Sequence, residues 1–138
     1  MDSLELVYQD DVLALFWDRE ARYHVSDWRC AARAEKLRTA AHACLTASRE
    51  RPSSHWLADC TRMVEIDPPD LQWISSQYYP LLSRNGVRRI AYVMPPQQRA
   101  QAALRTLPKA CGERARIAFE FCDSRAEAVR RLAAGPRD

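Results

Sequence analysis

The stretch HWLADCTRMVEIDPPDLQW, residues 55–73, gathers most of the side chains of this chain that could do chemistry. Four successive positions, Asp59, Cys60, Thr61 and Arg62, carry a carboxylate, a thiol, a hydroxyl and a guanidinium. Two kinds of site suit such a run. Cys60 could be a nucleophile, because the thiolate is the reactive form and a cation such as Arg62 favours it. Alternatively, Asp59 and Arg62 could clamp a polar or anionic ligand. A nucleophilic thiol also needs a base within hydrogen-bond reach. His55 stands at the far end of the same apolar segment, five extended residues or about 17 Å away, so a Cys60–His55 dyad is not expected. The reading is a non-catalytic site, in which Asp59 pairs with Arg62 or accepts loop amides and Cys60 is an inert thiol.

Other elements must position that run. LELVYQ (4–9) and VLALFW (12–17) flank Asp10-Asp11 and read as an antiparallel hairpin. The second segment is apolar on both faces, as suits a strand with two neighbours. Residues 18–25 either extend it or form a loop. From Ser26 to about Arg49 there is no Gly or Pro, and Cys30, Ala34, Leu37, Ala41, Cys44 and Leu45 recur at three- and four-residue spacing. This predicts an amphipathic helix capped by Ser26 or Asp27. HWLADC reads as a buried strand. Asp67 then reads as an N-cap, with Pro68 at the first helical position and Asp70 near the positive end of the dipole. The inner stripe of that helix is Leu71, Ile74, Tyr78, Leu81 and Leu82; Pro80 should kink it, and Asn85-Gly86 should end it.

After this come a strand over 87–94, a helix over roughly 97–110, and a strand over 115–121 with Ile117, Phe119 and Phe121 on one face. A last helix is opened by a capping box, Ser124 with Glu127, and buries Ala128, Val129 and Leu132. The tail GPRD is expected to fray. The order β-β-α-β-α-β-α-β-α predicts an α/β fold, a mixed, largely parallel sheet with helices packed on it. The 138 residues contain no repeat or linker and read as one domain, 1–138, with its core over about 4–133.

Composition narrows the function classes. With 47% hydrophobic and 28% charged residues the chain reads as globular rather than disordered. No apolar run reaches membrane-spanning length, and the acidic start MDSLELVYQD is unlike a signal peptide, so a cytoplasmic location is expected. The five cysteines are scattered without a C-x-x-C pair, and the three histidines lie near no ligand cluster. No metal and no cofactor is expected.

Residues 1–83 carry 9 basic and 13 acidic side chains and residues 84–138 carry 12 and 5, so −4 is followed by +7. Such asymmetry can mark an anionic partner. However, no aromatics interleave with the C-terminal arginines, as single-strand binders require, and no two helices adjoin as a helix-turn-helix does. Sequence-specific nucleic-acid binding is not expected.

The element order, together with WLAD…R…I-x-P-x-D…W, Y-x-P, GVRRIAYV and F-x-F-x-D-S…A, resembles the STAS-like (SpoIIAA-like) small bacterial proteins, fold relatives of anti-sigma-factor antagonists. The resemblance runs from about Leu4 to Leu132 and is densest from Trp56 to Val93. It implies a bacterial regulatory domain that works through protein contact. In that family a serine or threonine at the helix entry is the phosphorylation switch, acting at a helix N-terminus. Here the entry reads Asp67-Pro68-Pro69-Asp70, with no hydroxyl, and Thr61 lies six residues earlier.

The expected function is therefore a non-catalytic interaction or regulatory domain. Asp59, Cys60, Arg62, Asp67, Asp70 and Trp73 are the candidate ligand or partner contacts, and the partner is a protein or a second copy forming a homodimer. Trp73 lies off the inner stripe, and either touches a partner, covers the sheet edge or packs beneath a loop. The alternatives are a small apolar ligand or lipid held between helix and sheet, and a thiol enzyme or redox sensor at Cys60.

Overall fold

The computed structural model describes residues 3–29 and 32–134. Cys30 and the tail expected to fray, at 135–138, lie outside them. Six strands form one sheet in sequence order: β1 (Leu4–Gln9), β2 (Leu13–Asp18), β3 (Tyr23–Trp28), β4 (His55–Asp59), β5 (Arg89–Val93) and β6 (Ala118–Cys122). The pairs β1–β2 and β2–β3 are antiparallel, and β3–β4, β4–β5 and β5–β6 are parallel. The mixed, largely parallel α/β sheet is thus as expected, with one strand more than the expected order.

That strand is β3. Of residues 18–25, Asp18 ends β2, 19–22 form a turn and 23–25 open the new strand, and Ser26 and Asp27 lie within that strand rather than capping a helix. The cause is a pair of aspartates, one at each end of β2. Asp10 Oδ1 accepts the amides of Val12 and Leu13 at 2.9 Å each, which closes the first hairpin without glycine. Asp18 Oδ1 accepts those of Glu20 and Ala21 at 3.0 Å each, and Arg22 completes the second turn at φ 64°. Reversed there, the chain lays His24, Ser26 and Trp28 on one face of the sheet.

Helix α1 (Ala34–Glu50) consequently starts well after Ser26. Its first residue, Ala34, has φ 48°, the left-handed region that costs a non-glycine residue about 1 kcal/mol. It is held there by Asp70: both carboxylate oxygens accept the Ala34 amide at 3.1 Å, from a side chain only 4% exposed. Leu37, Ala41, Cys44 and Leu45 face inward as the spacing predicts, whereas Ala34 is exposed.

The second helical segment runs as α2 (Pro68–Trp73), a π turn (Ile74–Tyr78) and α3 (Tyr79–Arg84). Pro80 is accommodated here, because a proline lacks the amide that continues an α-helix and a π turn just before it absorbs the mismatch. The Tyr79 amide reaches back to the Ile74 carbonyl, and the extra residue turns the following face by one position. Tyr79, Leu82 and Ser83 are therefore buried, while Leu81, expected on the inner stripe, is 36% exposed and Leu71 is half-buried. Gly86, at φ 106°, ends the segment as predicted, and the Val87 amide returns to the Leu82 carbonyl at 3.1 Å.

Then come α4 (Gln98–Arg105) and α5 (Leu107–Cys111), two helices in place of the single one expected over 97–110, and α6 (Arg125–Ala133). Ser124 Oγ caps α6 by accepting the Glu127 amide, but Glu127 reaches back to the amide of Asp123 rather than of Ser124. Ala128 and Leu132 are buried, and Val129, expected inside, is exposed.

Helices α1, α2, α3, α4 and α5 pack on one face of the sheet, around Leu13, Leu15, Trp56 and Tyr92. On the other face α6 is the one helix among the described residues that packs on Leu57, Ala91 and Val93. Arg89 secures α6: it pairs with Glu120 at 2.7 Å and donates to the carbonyls of Arg131 and Ala134 at 2.8 and 2.9 Å. A cation at a helix C-terminus is favourable, and this one is buried.

Two stability outcomes follow. Asp70→Ala should lower the unfolding free energy by about 2 kcal/mol, the upper range for a lost N-cap, while Ala34→Gly should raise it by about 1 kcal/mol by relieving the left-handed residue. Urea unfolding midpoints at constant slope check both; an Asp70→Ala midpoint equal to the wild type would remove the cap from its role.

Candidate functional site

The parallel strands β3 to β6 point their carboxyl ends at one edge of the sheet, the place where α/β folds present ligand sites. Asp59 ends β4, and the chain then turns through residues 60–67 into α2. One oxygen of Asp59 accepts the Thr61 amide at 3.0 Å and also the Thr61 hydroxyl. The other accepts Nε and Nη2 of Arg125, each at 3.1 Å. Of the two expected alternatives, Asp59 accepts a loop amide, that of Thr61, and its ion pair is with Arg125, at the start of α6 some 66 residues away, instead of Arg62. Arg62 projects outward, exposed.

Cys60 points the opposite way. It is 1% exposed, packed among Tyr78, Tyr79 and Tyr92, and burial, followed by the nearby Asp59 and Asp27 charges, pushes its thiol far above the usual value. A thiol in that setting is protonated at neutral pH and no nucleophile. Cys44 is pushed up to about 12, first by burial.

The histidines supply no base beside it. His24 is sandwiched between Trp17 and Trp56 with ring centroids 4.7 and 4.9 Å away, and burial, then Arg51, hold its pKa down to about 4. His55 sits at the amino end of β4 near Arg89, and His42 lies on α1 against Trp73. No three of His, Cys, Asp and Glu converge to hold a metal ion among the described residues, and no helix among them is long and apolar enough to cross a membrane.

The six candidate contacts divide accordingly. Cys60 and Asp70 are buried, and Asp70 is the cap of α1 rather than a surface charge. Asp59 is enclosed by Thr61 and Arg125. Trp73 is half-buried, with the Arg38 guanidinium 5.4 Å from its ring centre and His42 edge-on to it, so it covers the outer flank of α1. Arg62 and Asp67 remain on the surface, Asp67 at 3.8 Å from Arg33. Between them Val64 is 44% exposed, an apolar side chain presented on the loop. Neither Val64 nor Arg125 stood out in the sequence. Arg125 is legible only as part of the capping box at the start of α6, and its partner is known only once β4 and β6 are neighbours of β5.

Between the helices and the sheet, where an apolar ligand would lie, there is a cavity of about 20 Å³ lined by Cys60, Met63, Ile66, Tyr92 and Leu104. That is room for about one water molecule. The Tyr92 hydroxyl, buried there without a hydrogen-bond partner among the described residues, is the group such a water would satisfy.

No protein-family model and no curated protein matches this chain. Solved structures do. A DUF3478-family protein with a SpoIIAA-like fold from Shewanella loihica is 14% identical, over 94% of this chain and 92% of that one, with a TM-score of 0.57. An anti-sigma factor antagonist from Mycobacterium paratuberculosis is 13% identical, over 96% and 97%, with a TM-score of 0.55. SiaC of Pseudomonas aeruginosa is 10% identical, over 88% and 98%, with a TM-score of 0.53. At these identities the likeness is one of fold: the chain has the SpoIIAA-like fold that its sequence resembles.

Two chemical outcomes follow. Iodoacetamide should fail to label Cys60 in the native protein at pH 8 and should label it fully in denaturant; rapid native labelling of Cys60, read by peptide mass spectrometry, would restore the thiol-enzyme reading. His24 has a folded pKa of about 4, below the ordinary 6.5, so the unfolded chain binds the proton first as pH falls. Stability is therefore complete above about pH 6.5 and declines by about 3 kcal/mol towards pH 4. His24→Leu should flatten that part of the pH dependence in urea titrations.

Proposed function

We propose that this chain is a non-catalytic regulatory domain that acts through protein–protein contact at the loop 61–67. The observation that carries the reading is the contrast at the carboxyl end of β4. The thiol there, Cys60, is sealed from solvent, while the loop beside it presents exposed Val64 between Arg62 and Asp67. An apolar centre with a charged rim is the composition of a protein-contact surface. The shared fold with an anti-sigma factor antagonist supports the same class of role.

The helix entry Asp67-Pro68-Pro69-Asp70 has no hydroxyl to phosphorylate, and Asp70 is committed to the Ala34 amide. In this reading the surface is constitutive at that position rather than switched by phosphate. The partner is a protein met in the bacterial cytoplasm, a second copy of this chain being one form of it.

Combining Arg62→Glu, Val64→Asp and Asp67→Arg tests the surface, since these side chains lie outside the core. Affinity capture from the native host should recover at least one partner with the wild type, and at least tenfold less of it with the triple variant at unchanged melting temperature. Equal recovery of every partner by both proteins would move the contact away from this loop. Light scattering of the wild type reports a homodimer in the same series.

A further inference from the structure

Among the described residues the sheet has two free edges, and they differ. Along β1 the register with β2 shifts between Leu6 and Tyr8, a bulge of the kind that blunts an edge against pairing. Along β6 the register with β5 runs without interruption from Ala118 to Cys122, and the strand AFEFC contains no Pro or Lys to guard it. The Ala118 amide donates to Arg88 and the Cys122 carbonyl accepts from Met94, so residues 118, 120 and 122 turn their backbone groups towards β5. Strand alternation then aims the N–H and C=O of Phe119 and Phe121 at the free side.

An open groove of about 920 Å³ follows this edge, from the end of α6 to Arg105. Its charge is one-sided. Glu120 is neutralised by Arg89 at 2.7 Å. Arg88 and Arg105 are exposed and form no ion pair among the described residues. The Arg88 guanidinium is held by the Ser83 and Val87 carbonyls at 2.6 and 3.0 Å, which fix it in place without cancelling its charge. Arg105 lies 5.3 Å from the centre of the Phe121 ring.

From this geometry we propose that the free edge of β6 receives an acidic segment of a partner protein in extended conformation, added as a further strand. Backbone groups of Phe119 and Phe121 pair with the incoming chain, and Arg88 and Arg105 select for carboxylates on it, a mode of recognition in which main-chain bonds hold and side-chain pockets choose. The surface lies apart from the loop 61–67, and its test is independent of that reading.

Two other occupants fit less well. Single-stranded nucleic acid needs open ring faces for its bases. Here Phe119 and Phe121 both stack on Tyr92, Phe119 meets Tyr79 edge-on, and Arg105 covers Phe121. A second copy paired edge to edge would bring two basic grooves together, which like charge opposes.

Fluorescence anisotropy with a labelled peptide of alternating Glu and Val, about ten residues long as strands commonly allow, tests the proposal. Binding should saturate, and should weaken about tenfold as salt is raised to about 0.2 M. Arg105→Glu should weaken it about tenfold, as reversal of a steering charge does. The same peptide methylated on every second backbone nitrogen keeps its charge but cannot pair, and should not bind. The proposal is overturned by any one of four results: no saturation up to about 1 mM, equal binding by the methylated peptide, equal binding by a Lys–Val peptide, or displacement of the bound peptide by oligothymidylate.

Discussion

A buried carboxylate grips a single backbone amide, and much of the site's architecture depends on it. Asp70 stands in the first turn of α2, yet both its oxygens meet the amide of Ala34, the first residue of α1. A carboxylate withdrawn from water must find donors, and a helix N-terminus has amides without partners. Each need meets the other across 36 residues of sequence. The contact fixes where α1 begins, holds Ala34 in a left-handed conformation, and anchors the start of α2. The loop 60–67 is then strung between two fixed points, the end of β4 and this cap, so its inner side chains Cys60, Met63 and Ile66 are drawn into the core. Arg62 and Val64 are left outside.

The same division decides the chemistry. The run Asp59-Cys60-Thr61-Arg62 looks reactive when written out, but alternation along an extended segment sends successive side chains to opposite faces. Asp59 goes to the face of α6 and meets Arg125; Cys60 goes to the face of the larger helical layer and loses water altogether. Burial that stabilises the core as apolar surface disfavours the thiolate. A site for catalysis and a site for packing cannot share that sulfur.

The two faces of the sheet are covered unequally, and the polar network on the thinner side follows from that. With α6 as the one helix described there, Arg89 ties its last carbonyls to the sheet and balances Glu120 beneath it. The pair is buried, so each charge depends on the other. Beyond it β6 has no further neighbour within the described residues, and the arginine surplus of the C-terminal half gathers partly along that edge.

Much of this was legible in the sequence, because it is local. The continuous apolar run of β2, the alternation of β6, the proline at the start of α2, the stop at Asn85-Gly86 and the cap at Ser124 each depend on a few adjacent residues. The α/β class and the resemblance to the SpoIIAA-like fold follow from the order of such local signals along the chain. The turn after Asp18 was also local, but it is made by an aspartate and by Arg22 at positive φ instead of glycine, so β3 and the true start of α1 did not stand out. The π turn before Pro80 moved the buried face by one residue, which separates Tyr79 from the expected Leu81. What only the tertiary structure decided is which charges meet: Asp59 with Arg125, Asp70 with Ala34, Arg89 with the end of α6. These partners lie far apart along the chain, and their pairing is set by strand order and by which face each residue occupies, quantities that local spacing does not contain.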